Sequence, residues 1–319
     1  MEESGNLKII CIGAVNIDLI AMGLASIPKA GGQEVGEHLE LRAGGKACNM
    51  ARMCGKLVGA GNVAMLAKTV KDASGLWQVP VESLREYGVL TGGIILAEPA
   101  KGELPTMALV LQVKQDANRV LYFMGRNETL SMEDIDRSTP MFERLAEQNG
   151  LLVMSGEMPV DTMVHALELA AGLGIRALVD PGGCHDMGNY WRVLEQSVFF
   201  LKPNAAEVEE ICGVRIFDLA TAGKAASRLM QGGVQNLLIT HGGQGAYLFT
   251  DGEAEHIQAE GLTAGQLVDT TGSGDQVIAV VAAGLLRGLS IVEAVRLGVR
   301  AGTRQCTRLG AIPLSWQDL

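Results

Sequence analysis

Residues Val268 to Leu286 read VDTTGSGDQVIAVVAAGLL. An acid, two threonines and a Gly-Ser-Gly run stand directly before a long apolar segment that reads as a buried helix. A glycine-rich loop loses much conformational freedom on ordering, so something at the helix start should justify it. Gly272, Ser273 and Gly274 can aim several N–H groups at one point. A helix beginning near Asp275 adds its own unpaired N–H groups and the positive end of its dipole, which together make an anion site. Asp275 would repel a phosphate there unless it does proton chemistry. A general base that takes the proton of an alcohol attacking a phosphoryl group fits these residues. A glycine loop with Asp275 as a plain N-cap uses them too, but the D-T-T-G-S-G-D spacing is more specific than a bare glycine pair.

Outward from this loop, apolar strands alternate with helical segments. "LKIICIGAVNIDLI" reads as one buried strand running into a Gly-Ala turn, and "KACNMARMCGKLVG" as a helix ending at glycine. "NVAMLAKT" is a second buried strand, and "DASGLWQVPVESLREYG" is helical with a break at Pro80. Between residues 89 and 125 the runs "GVLTGGIILAE", "TMALVLQVK" and "NRVLYFM" read as strands with little helix among them. These form a small inserted β-sheet, joined by strand sequence within 32–43. After it the alternation resumes, with strands in "GLLVMSG", "RALVDPG", "SVFFLKPN" and "VQNLLITHGG", a hairpin in "GAYLFTDGEAEHIQ", and two apolar helices at the end. Such alternation implies an α/β fold with a mostly parallel sheet covered on both faces, and the β-only insertion implies a lid.

Bulk properties exclude other classes. The 319 residues suffice for one large domain or two unequal ones, and 48% hydrophobic residues supply a core. A net charge of −10, with no Lys/Arg cluster, argues against a nucleic-acid footprint. The six cysteines include no C-x-x-C pair and read as small buried residues in a reducing compartment. The acidic N-terminus has no signal-peptide pattern, and "VIAVVAAGLL" is too short to span a bilayer. The protein is therefore expected to be cytoplasmic, without membrane or nucleic-acid partners. No G-x-G-x-x-G follows the first strand and no P-loop motif occurs, which argues against a dinucleotide-binding oxidoreductase or a P-loop enzyme.

"DTTGSGD" resembles the D-T-x-G-x-G-D signature of the PfkB, or ribokinase-like, family of ATP-dependent carbohydrate kinases. Other segments resemble that family in the same order: "GAVNIDLI", "RAGGKACNMARMCGKLVG", the lid segment "PTMALVLQVKQDANRVLYFMGRNETL", "KPNAAEVEEICG" and "ITHGGQGAYL". Together they span nearly the whole chain. The resemblance implies the three-layer ribokinase-like fold as a single domain, 1–319, with lid strands within about 32–43 and 89–125.

It also implies roles. Asp275 is the base, with Gly272, Ser273 and Gly274 as anion hole. Asn16, Asp18, Gly44, Gly45, Lys46 and Asn49 bind the sugar, joined by Glu157 of "MSGEMP". Asn204, Thr240, Gly242 and Gly245 lie at the nucleotide, and Glu207 holds Mg2+ through water. Asp269 and Thr271 match the first part of a monovalent-cation site, with Gly310 and Ala311 of "TRQCTRLGAIP" in the second. A homodimer through the lid is expected.

Several of these residues have plainer uses. Asn16 and Asp18 alternate, so both can point to one face of a strand end; an Asx turn would use the same pair. Asn204 and Glu207 form a capping-box pattern, which does not preclude a metal role. The glycines after "VQNLLI" also suit an ordinary turn. Gln305 stands where a small residue is usual, and Gln276 where a small residue follows the base. Arg126 replaces the alanine of Gly-Ala-Asn and could face an acidic substrate or solvent. The leading function is ATP- and Mg2+-dependent phosphorylation of a small sugar; K+ is a further candidate cofactor. A nucleoside kinase of the same family and a catalytically silent sugar-binding protein are the alternatives.

Overall fold

The apolar run at the N-terminus does not stay in one sheet. The computed structural model describes residues 6–114, 119–263 and 265–319. In it the run divides at Gly13 into β1 (Ile9–Ile12) and β2 (Asn16–Leu24). The chain continues through β3 (His38–Gly44), α1 (Lys46–Val58), β4 (Val63–Val70), α2 (Gln78–Glu86), β5 (Leu90–Ala97), β6 (Met107–Val113) and β7 (Arg119–Phe123). Next come α3 (Met132–Arg137), α4 (Thr139–Glu147), β8 (Leu151–Ser155), α5 (Val160–Gly172), β9 (Arg176–Asp180), α6 (Trp191–Leu194) and β10 (Val198–Leu201). The remainder is α7 (Ala205–Cys212), α8 (Leu219–Leu229), β11 (Val234–Thr240), β12 (Ala246–Thr250), β13 (Glu253–Ile257), α9 (Ser273–Leu286) and α10 (Ile291–Gln305).

Nine strands form the main sheet, in the order β13-β12-β11-β10-β9-β8-β1-β4-β5. It is parallel from β11 to β5 and closes with the antiparallel pairs β11–β12 and β12–β13. The period of two along a strand sends alternate residues to opposite faces. Ile10 and Ile12 enter the core under α4, α5 and α8, while Ile9 and Cys11 enter the one under α1, α2, α9 and α10. This accounts for the unbroken apolar runs: both faces are covered. Among the described residues no helix is long and apolar enough to cross a membrane.

A second sheet, in the order β3-β2-β6-β7, lies beside the first. It is the expected lid with different strands. "GVLTGGIILAE" was expected in the insertion, but β5 pairs in parallel with β4 as the edge of the main sheet. In exchange, β2 joins the lid, pairing with β3 and β6. Within 32–43 the strand starts only at His38. Residues 115–118 of the expected lid segment, including the first residue of "NRVLYFM", lie outside the described residues. Period-two and apolar-run signals report a strand, not the sheet it joins. Pro80 breaks nothing, since it sits in the first turn of α2, where a missing N–H is tolerated. The α9 helix starts at Ser273, with Gly272 as N-cap at φ +74°, so Asp275 is in the first turn and not the cap.

Candidate active site

Asp275 is 4% exposed in the first turn of α9. There the N–H groups of Gly274 and Asp275 have no acceptor within the helix. Ser273 N–H turns back to Thr270 O, 3.2 Å away, so it is spent locally. Asn49 Nδ2 donates to Asp275 Oδ2 at 2.9 Å, and Lys46 Nζ lies 3.7 Å from Asp275 Oδ1. Both partners come from α1, which Gly44 and Gly45 aim at this point. A side chain at Gly44 would strike the Asp18 carboxylate, so only glycine lets the two stand this close. Burial raises the Asp275 carboxyl above its ordinary range; Lys46 opposes this and Asp180 adds to it. The result is a stronger base than an exposed aspartate.

Lys46 is the hub of a carboxylate ring. Its backbone N–H donates to Glu157 Oε2 at 2.7 Å, and its ammonium lies 3.6 Å from Asp180 Oδ1. Burial works against its charge, but Asp180, Asp275, Glu207 and Glu157 outweigh that and raise its pKa. Burial pushes the Glu157 carboxyl up to about 7 against the pull of Lys46. The folded protein therefore holds a proton on Glu157 that the unfolded chain releases near 4.5. Stability from this group is present at low pH and falls as pH rises from about 4.5 to 7. Glu157→Gln should flatten that slope. In thermal melts the variant should exceed the parent by about 1–3 kcal/mol at pH 8, with the gap closing near pH 4.5.

Two residues not singled out from the sequence complete the ring. Asp180 ends β9 with no exposure, and Lys202 follows β10 at 2%. Lys202 Nζ is 2.8 Å from Asp180 Oδ2, and Gly182 N–H donates to Asp180 Oδ1 at 2.8 Å. Burial alone would raise the Asp180 carboxyl, but Lys202 and Lys46 hold it below its ordinary value. A side chain at Gly274 would meet Lys202 Nζ, so this ammonium borders the glycine loop. The available signal was position: carboxyl ends of parallel strands face the crevice of an open α/β sheet.

Asn16 opens β2 at 3% exposure. Its Oδ1 accepts from Asn127 Nδ2 at 2.6 Å, and its Nδ2 donates to the Tyr122 hydroxyl at 3.3 Å. The Gly125-Arg126-Asn127 segment thus reaches the cleft through Asn127. Arg126 does not: it forms a two-pronged pair with Glu103, at 2.7 and 2.9 Å. Asp18 is pushed up to about 6, by burial and by Asp275, while Arg52 and Arg42 pull it down. Arg52 was also missed. It lies three residues past Asn49 on α1, hence on the same face. Arg52 Nη2 donates to Asn49 Oδ1 at 2.6 Å, which fixes the amide so that its Nδ2 points at Asp275. Asp18, Arg42 and Arg52 line a cavity of about 470 Å³ between the lid, α2 and the Asp269 loop.

Asn204 and Glu207 form a full capping box, with reciprocal bonds of 2.8 and 2.9 Å. Glu207 Oε1 remains over Gly182 beside the Lys46 ammonium. Asn204, the N-cap of α7, also bridges to Thr240, the last residue of β11. Gly242 and Gly245 shape the turn after Thr240, with φ +52° and +89°; among the described residues no hydrogen bond ties them to the Asp275 ring. Asp269 Oδ1 accepts from Thr271, and its Oδ2 from Gly310 N–H at 2.8 Å, so these two loops do meet.

A buried carboxylate at a helix N-terminus, two lysines in the same ring of charges and a lid carrying polar side chains are groups of the kind that phosphoryl transfer draws on. Comparison with known proteins gives the class. Residues 6–318 match the family described as pfkB family carbohydrate kinase, and the chain belongs to that family. It is 25% identical over 300 residues to the ribokinase of Haemophilus influenzae, covering 94% of this chain and 92% of that protein. It is 28% identical over 276 residues to the deoxyribokinase of Salmonella typhi, covering 85% and 83%. The structure of Arabidopsis thaliana ribokinase complexed with ribose and ATP shares the fold, with TM-score 0.80, 22% identity and 96% of each chain covered.

Proposed function

We propose that this kinase transfers the γ-phosphoryl group of ATP to a hydroxyl of a small uncharged sugar. The observation that carries this is Asp275: buried, raised in basicity, held by Asn49 and set in the first turn of α9. In the reaction Asp275 Oδ takes the proton of the acceptor hydroxyl as its oxygen attacks the γ-phosphorus in line. The Gly274 and Asp275 N–H groups, with Lys202 and Lys46, spread the developing charge. Asn16, Asp18 and Asn49 supply the donors and acceptors that a polyol needs, since each hydroxyl is both. Among the described residues no group of three or more His, Cys, Asp or Glu stands ready to hold a metal alone. A Mg2+ carried on ATP phosphates needs only one or two carboxylates, and Glu207 Oε1 fits that part. When bound, Mg2+ neutralises phosphate charge.

We read the acceptor as uncharged because the two arginines that act on Asp18 already have partners. Arg42 is already gripped two-pronged by Glu40, at 2.8 and 2.8 Å, and Arg52 by Asn49. Glu82, Glu86, Asp18 and Asp269 also line the cavity and would repel an anion. One observation favours a nucleoside instead: the Tyr122 and His185 rings pair at 5.7 Å beside Asn16, a surface for a base. ADP release should be measured over ribose, deoxyribose, fructose, 2-keto-3-deoxygluconate, inositol, adenosine, cytidine and fructose 6-phosphate. Turnover confined to the uncharged sugars is expected. Turnover confined to adenosine or cytidine establishes the nucleoside reading, and turnover only on fructose 6-phosphate overturns the uncharged acceptor. No turnover with any of them, while ribose still binds, would point to a silent sugar-binding protein.

The lid supports a homodimer in this proposal. Leu39, Leu121 and Phe123 are exposed on the sheet face opposite Asp18 and Tyr122. An apolar sheet face of this kind gains by pairing with a second copy. Phe123→Glu should convert a dimer to a monomer in light scattering; an unchanged mass for the variant would remove the lid from the interface. ATP as donor and six free cysteines suit a reducing, cytoplasmic setting.

A further inference from the structure

The loop behind the α9 N-terminus is where a monovalent cation would sit if the resemblance held throughout. Such an ion is held by carbonyl and carboxylate oxygens that replace its hydration shell. Here those oxygens are committed to donors of the chain itself. Asp269 Oδ1 accepts from Thr271 N–H at 3.0 Å and Thr271 Oγ1 at 2.8 Å, and Asp269 Oδ2 accepts from Gly310 N–H at 2.8 Å. Cys306 O accepts from Val268 N–H at 2.8 Å and Asp269 N–H at 3.2 Å. Gly310 O accepts from Gln305 Nε2 at 2.6 Å.

Gln305 ends α10 with no exposure and occupies the position where a small residue is usual. Gln276, also unexposed, accepts from Leu314 N–H at 3.1 Å and so pins the far end of the same loop. The two amide atoms left without a partner are Gln305 Oε1 and Gln276 Nε2, one acceptor and one donor. An ion seated against Gly310 O would compete with the Gln305 N–H already there, and the buried amide would have to turn for its Oε1 to face the ion. That weakens ion binding by about tenfold or more.

We infer that the Gln305 amide takes the place of the monovalent cation, and that this protein holds its anion-hole loop without K+. The amide directs an N–H dipole at the Gly310 carbonyl, fills the space and ties α10 to the loop that Asp269 joins to the glycine run. The residues do not fit a resident monovalent cation, so no step of the reaction is drawn through one. The inference rests on the kinase reading only for the meaning of the anion hole.

The test compares the full-length protein with Gln305→Ala and the isosteric Gln305→Glu, each in KCl and in N-methylglucamine chloride at equal ionic strength. Thermal unfolding and ADP formation are both followed. The wild type should melt at one temperature in both salts and change in rate by less than about twofold. Both variants lose the donor to Gly310 O and should become K+-responsive, melting higher in KCl and working about tenfold faster there. A wild type that K+ activates about tenfold would overturn the inference. So would a folded variant indifferent to K+ in both readouts. If Gln305→Ala does not fold, Gln305→Glu keeps the volume, and the wild-type comparison decides by itself. The melting readout needs no turnover, so a failed kinase reading, with no ADP from any acceptor, is separable from a failed cation inference.

Discussion

Asp275→Asn is expected to lower turnover by about 10²- to 10⁴-fold while leaving acceptor binding nearly unchanged. Asparagine keeps the shape and can still accept from Asn49 Nδ2, now at 2.9 Å from the carboxylate. What it cannot do is take the proton of the attacking hydroxyl. Electrostatics also limits collateral damage, because Lys46 keeps Asp180 as a partner at 3.6 Å. The measurement is kcat and KM for the best acceptor of the panel, with acceptor binding followed by calorimetry. Turnover within about tenfold of the parent would remove Asp275 as the base. Unchanged binding with lost turnover would exclude a purely structural role.

Lys202→Met should be the most destabilising single change in the site. Asp180 has no exposure, and Lys202 is its close counter-charge at 2.8 Å. Removing one partner of a buried pair leaves a charge without compensation, at about 3–5 kcal/mol. That is a large share of a typical domain stability of about 5–15 kcal/mol. Gly182 N–H and Lys46 remain on Asp180, so the lower end of that range is expected. The double change Lys202→Met with Asp180→Leu should recover much of the denaturant midpoint, since two apolar groups replace a buried ion pair. Activity should not recover with it, because Lys202 borders the glycine loop as well as pairing with Asp180. A double variant that regains both would make Lys202 a structural residue only.

The parts of the site legible in sequence were those carried by short local patterns. The D-T-T-G-S-G-D run, the Gly-Gly pair before α1 and the Asn204–Glu207 capping box each lie within a few residues, so spacing alone displays them. Asp180 and Lys202 are different. Asp180 ends β9 and Lys202 directly follows β10, and they meet only because the two strands are adjacent and in register, Leu201 opposite Val179. Spacing along the chain carries no such information. Arg52 was within reach, one helical turn from Asn49, but a cation on an apolar helix reads as a solvated one until its burial is known. The same limit explains the exchange of β2 and β5 between sheets. Gln276 and Gln305 stood out as departures from the family pattern, and only the loop between them shows what each amide holds.

The split of the N-terminal run at Gly13 has a thermodynamic consequence. Asn16 and Asp18 ride on a strand of the four-stranded sheet, while Asn49 and Asp275 belong to helices on the nine-stranded one. In the proposed reaction, any displacement of the smaller sheet therefore separates Asn16 and Asp18, on the acceptor, from Asn49 and the Asp275 base. The apparent affinity for an acceptor is then its intrinsic affinity scaled by the fraction of molecules with the two sheets together. A change at Gly13, Ala14 or Val15 that shifts this fraction multiplies the dissociation constant of every acceptor by one common factor. The order of preference among sugars stays fixed, and only the concentration scale on which they compete moves.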